Sequence, residues 1–257
     1  MIGVFDSGLG GLSVLAALVR TLPGADFTYF ADTAHVPYGN KEEGFIQGRV
    51  LDVGADLVAG GCGLLVVACN TATVAAVQAL RAAHPGIPVV GVEPGIKPAA
   101  QDSRSGRIAV LATEATARSS RLKRLIEDHA GNVEVFVEPC PGWATHVETL
   151  QLDDPVLAAD VRRRVEPLLD RGVDRIVLGC THYSFLSPLL RGVAGERAEL
   201  VDVAVAVARQ AQRLAGQLAH GNGRLHLQAS AHPERLHAAL PRLHLGHLAT
   251  RLVAGIA

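Results

Sequence analysis

A chain of 257 residues, 49% hydrophobic but only 4% aromatic, can bury a substantial core of Ala, Val and Leu, and its length allows one or two domains. A formal charge of -1 without a basic run argues against nucleic acid or an anionic membrane as partner. No window reaches the roughly 18 uninterrupted apolar residues of a membrane helix.

The chain goes directly into a predicted strand, Ile2–Phe5, with no basic leader or cleavage site before it. That pattern is expected of a soluble, cytoplasmic protein. Asp6-Ser7-Gly8-Leu9-Gly10-Gly11 turns into a helix with Leu12, Leu15, Val19 and Leu22 on one face, ended by Pro23-Gly24. A strand over Asp26–Ala31 leads to an irregular segment, Asp32 to Asn40. A helix follows with Ile46, Val50, Val53 and Leu57 at helical spacing. Gly60-Gly61-Cys62-Gly63 turns the chain into Leu64-Leu65-Val66-Val67-Ala68-Cys69-Asn70-Thr71, a buried strand ending at a thiol and opening onto a helix. Ile87–Val92 is the next strand. Strands alternating with helices imply parallel pairing and right-handed crossovers.

After Glu93-Pro94-Gly95 the pattern restarts. Strands are predicted at Arg107–Leu111, Val133–Glu138, Asp174–Leu178 and Glu199–Val201. Helices run through Leu122, Leu125 and Ile126, through Val147 and Leu150, and from Pro155 to about Asp170. An Ala/Val helix follows Asp202, then a short strand Leu225–Ala229 and a helix from Pro233. The His-rich tail has no trustworthy metal-ligand spacing. Ile2-Gly3-Val4-Phe5-Asp6-Ser7 aligns with Ile108-Ala109-Val110-Leu111-Ala112-Thr113, and Cys69-Asn70-Thr71 aligns with Cys180-Thr181-His182 at nearly the same offset. Duplication accounts for this, as does the general likeness of any two α/β lobes.

Four cysteines without a CxxC do not form a secreted disulfide framework. Cys62 and Cys140 are expected to be structural. Cys69 and Cys180 sit at carboxyl ends of strands, where open α/β sheets bind ligands and where the next helix directs its free N–H groups. As core residues they would bury many neighbouring polar groups. As metal ligands Cys69, Cys180 and His182 lack a clear fourth partner. As an acid and a base they would act on opposite faces of one carbon, which explains why there are two.

Around them, Asp6 could serve Cys69, and His182 could serve Cys180. In their ordinary structural roles Asp6 caps a helix and His182 packs in the core. Glu148 could face the second thiol or simply face solvent. Ser7, Asn70, Thr71, Thr113, Thr116 and Thr181 suit carboxylate binding. Gly8-Leu9-Gly10-Gly11 lacks the order of a dinucleotide loop. No Walker motif, pyridoxal lysine or metal cluster stands out, which leaves cofactor-free proton transfer.

Five segments then carry a family resemblance: Phe5 to Gly11, Ala31 to Gly39, Ala68 to Ala72, Gly91 to Gly95 and Leu178 to Tyr183. Together they resemble glutamate racemase, of the aspartate/glutamate racemase superfamily, over nearly the whole chain. The Pro37-Tyr38-Gly39 loop favours the glutamate branch. The resemblance implies an α/β fold of two pseudo-symmetric, doubly wound lobes with mainly parallel sheets and a site in the cleft between them. The first lobe is expected over residues 1–95 plus about 205–257, and the second over 96–204. It implies interconversion of L- and D-glutamate for peptidoglycan, without cofactor or metal, and a homodimer. It gives Cys69 the proton of D-glutamate and Cys180 that of L-glutamate, assisted by Asp6 and His182. Substrate would be bound by Asp6, Ser7, Tyr38, Gly39, Asn70, Thr71, Thr181 and His182.

Ser184-Phe185 and Val203 depart from the family pattern, which bears on helix geometry more than on chemistry. The chain starts at the first strand, so regulation through an N-terminal extension is not expected. Two other readings stay open: a related racemase for aspartate or another small acid, and a non-catalytic dicarboxylate-binding protein.

Overall fold

Alternating strands and helices build two separate sheets in the computed structural model, which describes residues 1–253. Its strands are β1 (Ile2–Asp6), β2 (Phe27–Ala31), β3 (Leu64–Val67), β4 (Val89–Gly91), β5 (Arg107–Ala112), β6 (Glu134–Pro139), β7 (Arg175–Gly179), β8 (Glu199–Val201) and β9 (Leu225–Ala229). The first sheet has the order β4-β3-β1-β2-β9 and the second β6-β5-β7-β8. All pairings are parallel, so each neighbouring pair needs a crossover on a sheet face. The α/β fold predicted from sequence is therefore present.

Counted within its own lobe, each sheet runs second-first-third-fourth, with β9 added outside β2. Strand order reverses between the first and third strands, the switch point where open α/β sheets take ligands. In the first lobe this gap lies between the ends of β1 and β3, at Asp6 and Cys69. In the second it lies between β5 and β7, at Thr113 and Cys180. The alignment noticed in sequence thus corresponds to equal places in two sheets of equal order.

One apolar core passes through both lobes, joining Leu12, Leu15 and Tyr29 to Leu111, Trp143, Leu178 and Tyr183. The helix Ala204–Ala215 packs on the helix Leu12–Thr21. The chain crosses between sheets at Gly95 and Val203, which touch: a Cβ on Gly95 would stand 2.9 Å from Val203 Cγ1. A side chain larger than hydrogen at Gly95 would press these two crossings apart.

Three local expectations change. β4 begins two residues later than its apolar run because Pro88 has no N–H to donate to the ladder. The helix after Thr113 is two helices, Glu114–Arg118 and Ser120–His129, because Ser119 is extended and its hydroxyl caps the second. After Cys180 the chain forms a 3-10 helix, Thr181–Leu186, before the α-helix Ser187–Ala194. Cys180 is therefore not followed by the α-helical N-terminus that follows Cys69. No helix among the described residues is long and apolar enough to cross a membrane.

Candidate active site

Cys69 lies between β3 and the helix Asn70–Ala83, whose N-cap it is: Ala72 N–H donates to its sulfur at 3.5 Å. Its thiol also points to Ser7 Oγ at 3.8 Å. The side chain is 5% exposed. Burial pushes the thiol far above its ordinary pKa and the Asp6 carboxyl adds to this, while Ala72 N–H opposes it. Negative charge on Cys180 also raises it.

Cys180 is equally buried, at 5%. Its Sγ is 3.6 Å from His182 Nδ1, and His182 Nε2 is 2.5 Å from Glu148 Oε1. Burial disfavours charge on His182, but its bonds to Cys180 and Glu148 outweigh this and raise its pKa well above the ordinary imidazole value. Glu148 also accepts the Leu9 N–H at 2.7 Å, so a residue of the second lobe ties down the first turn of the first lobe. The result is a chain of contacts, Cys180–His182–Glu148, buried at Cys180 and His182 and partly exposed at Glu148. Sequence reasoning left Glu148 undecided because its partner is remote in the chain.

The glycine-rich turn has its explanation here. A Cβ on Gly8 would fall 2.1 Å from Glu148 Oε1, and one on Gly10 would fall 2.4 Å from His182 Nδ1. These positions are glycine so that Glu148 and His182 can lie against bare backbone. Tyr29, which sequence reasoning missed, fixes the same turn by donating to Gly8 O at 2.6 Å.

Two aspartates follow adjacent strands and have opposite surroundings. Asp6 is fully buried, accepts Gly8 N–H at 2.9 Å and lies 3.5 Å from Thr181 Oγ1. Burial raises its pKa, and the charge of His182 and backbone N–H groups offset this only in part. Asp32 is also fully buried, but Arg49 holds it with two bonds of 3.0 and 2.9 Å, and Tyr38 and His35 add to them. Burial opposes its charge, yet these partners keep its carboxyl far below the usual range.

The remaining predicted residues come from both lobes. Thr71 Oγ1 meets Thr113 Oγ1 at 3.0 Å and Thr116 Oγ1 at 3.4 Å. Asn70 is 2% exposed, and neither its Oδ1 nor its Nδ2 has a hydrogen-bond partner. An unpaired buried amide costs free energy unless something else satisfies it, so it marks a place for a polar ligand. Gly39 lies against Thr113, which a Cβ would approach to 2.9 Å. The Tyr38 hydroxyl donates to Asp32 Oδ2 at 2.6 Å. That bond anchors Tyr38 in its loop, and Gly39 follows it against Thr113.

Cys62 and Cys140 are buried, and all four cysteines are free thiols. Cys140 donates to Glu138 O at 3.4 Å, and its own carbonyl accepts the Tyr183 hydroxyl. Among the described residues, no group of three or more His, Cys, Asp or Glu is arranged to hold a metal. A cavity of about 690 Å³ beside Cys62 and β9 is lined by none of the site residues.

Comparison with known proteins decides the family. The family model for Asp/Glu/Hydantoin racemase matches residues 2–211. The chain belongs to that family. Within it, the glutamate racemase of Pseudomonas putida (strain GB-1) is 46% identical over 246 residues, 94% of this chain and 93% of the relative. The crystal structure of Escherichia coli glutamate racemase with L-glutamate and the activator UDP-MurNAc-ala is 34% identical, with a TM-score of 0.81 over 94% of each chain. Thermus thermophilus glutamate racemase with beta-chloro-D-alanine is also 34% identical, with a TM-score of 0.79 over 99% of this chain and 96% of that one. The resemblance to the glutamate racemases thus holds across the chain, and the family is one of isomerases.

Proposed function

We propose that this protein interconverts L- and D-glutamate without a cofactor, through two thiols acting on opposite faces of the α-carbon, and supplies D-glutamate for peptidoglycan in the cytoplasm. The carrying observation is the pair Cys69 and Cys180, buried at matching switch points, with Thr181, the neighbour of Cys180, 3.5 Å from Asp6 of the other lobe. One sulfur, as thiolate, takes the α-proton and becomes a thiol. The electron pair of the broken C–H bond is held on the α-carbon and its carboxylate. The opposite thiol then gives its proton to the other face and becomes the thiolate. Following the resemblance, Cys180 begins from L-glutamate and Cys69 from D-glutamate.

Each turnover exchanges the protonation states of the two sulfurs, so neighbouring groups must reset them. Asp6, whose pKa is raised by burial, can hold or release a proton beside Cys69. His182, oriented by Glu148, can do so for Cys180. The Asn70 amide, Thr71, Thr181, Ser7 and the backbone at Gly39 supply donors for the carboxylates. Donors placed before the reaction stabilise the carbanionic transition state at no cost in reorganisation.

Incubation with L-glutamate in D2O tests this: D-glutamate should form with α-deuterium and without added cofactor. A requirement for pyridoxal phosphate, or no turnover of either enantiomer, would refute it. Aspartate run in parallel separates the neighbouring specificity. Tight binding without deuterium exchange would instead identify a binding protein.

A further inference from the structure

Both sulfurs are buried, so substrate must reach them through an opening beside the cleft. Among the described residues, three cavities touch residues of the site, and they differ in charge. One of about 560 Å³ has Glu148 and Leu9 in its wall, and its charged lining residues are one acid, Glu148, and one base, Arg235. A second, of about 220 Å³, reaches Gly39 and Thr113, and its one charged lining residue is Glu114. A third, of about 380 Å³, ends on Thr71 and carries Lys41 and Arg118 against a single acid, Glu43.

The third wall is positive in a chain whose formal charge is -1 overall. Ser119 and Ser120 also line it, at the start of the ten-residue helix Ser120–His129, whose N-terminal dipole end has the same sign. Thr71 in its wall joins it to the site: Thr71 bonds to Thr113 and Thr116, and the preceding residue, Asn70, has the unpartnered amide. Glutamate carries a net negative charge at neutral pH, and a cleft lined by charge of the opposite sign raises its local concentration and its rate of arrival.

From these juxtapositions we infer that the channel ending on Thr71 is the route by which glutamate reaches the thiols, and that Lys41 and Arg118 steer it there while Glu43 opposes them. This rests on the proposed racemase reading. The two are separated by using salt dependence for the channel and deuterium incorporation for the reaction.

Charge-neutral variants at graded ionic strength test it. At about 0.01 M salt, where the Debye length is about 30 Å, Lys41→Gln and Arg118→Gln should each lower kcat/KM by about three- to tenfold. Glu43→Gln should raise it. All three should converge on the parent value near 1 M salt, with kcat unmoved. A role in folding alone would not give opposite signs that vanish together with salt. Calorimetric binding of glutarate, which has both carboxylates and cannot be racemised, should follow the same order at low salt. If the glutarate order holds without turnover, the channel stands and the racemase reading falls. If the three variants match the parent protein at low salt in both measurements, the channel assignment is overturned.

Discussion

The two halves of the site occupy equal places in two sheets of equal order, yet they handle a thiol by different means. On the Cys69 side an α-helix starts at once, its Ala72 N–H reaches the sulfur, and the nearby ionisable group is Asp6. On the Cys180 side the chain turns through a 3-10 helix with no side-chain cap, and the nearby group is His182, backed by Glu148. The shared topology fixes where each sulfur stands. Local sequence decides which ionisable group stands beside it. Under the proposed mechanism, a substrate whose two faces are treated alike would be served by groups that differ in charge type: a carboxyl on one side, an imidazole on the other.

The comparison first requires that both thiols be indispensable. Cys69→Ser and Cys180→Ser should each lower racemisation by about 10² to 10⁴-fold, the range for loss of a positioned acid or base. Wild-type turnover in either variant would remove that thiol from the chemistry. Next comes the packing that holds the second half against the first. Gly10→Ala places a methyl 2.4 Å from His182 Nδ1, so the ring must shift, and a displacement of about 1 Å should cost about 10²-fold. Gly48→Ala, where a Cβ meets nothing within 4 Å, is the control and should leave turnover intact.

A subtler measurement asks whether the halves are as specialised as their surroundings. His182→Asn should slow removal of the proton from L-glutamate more than reprotonation. The primary isotope effect with α-deuterated L-glutamate should then rise, while that with the D enantiomer falls. Asp6→Asn should do the reverse. Isotope effects that shift equally in both directions would show that the two residues act on a common proton pool.

Much of this was legible in the sequence. β-branched runs ending in small polar residues marked the switch-point strands, and the paired motifs around Cys69 and Cys180 marked the two lobes. What stayed hidden depends on contacts remote in the chain. Glu148 is an ordinary helical glutamate until its bonds to His182 and Leu9 N–H are seen. Gly8 and Gly10 resembled a poor nucleotide loop because the groups that require their bare backbone come from the other lobe. Tyr38, a carboxylate-binding candidate by motif, has its hydroxyl committed to Asp32. Arg49, which holds the same carboxylate, lies in a helix read only for its apolar face.

Asp6 and Asp32 give the last and smallest test, because two buried aspartates should move stability in opposite directions. Asp32 has a lowered folded pKa, so its contribution is present above the unfolded value of about 3.9 and is lost as pH falls through the folded one. Asp6 has a raised folded pKa, so its contribution is complete below about 3.9 and is lost as pH rises through the folded value. At neutral pH, Asp32→Asn should therefore lower the melting temperature and Asp6→Asn should raise it. A change of about 1 kcal/mol corresponds to about 2–4 °C in a chain of this size. Asp6→Asn would then be more stable and less active, as expected of a charge kept buried for chemistry rather than for folding. A loss of stability at both positions would mean that Asp6 is held by its surroundings as firmly as Asp32 is by Arg49.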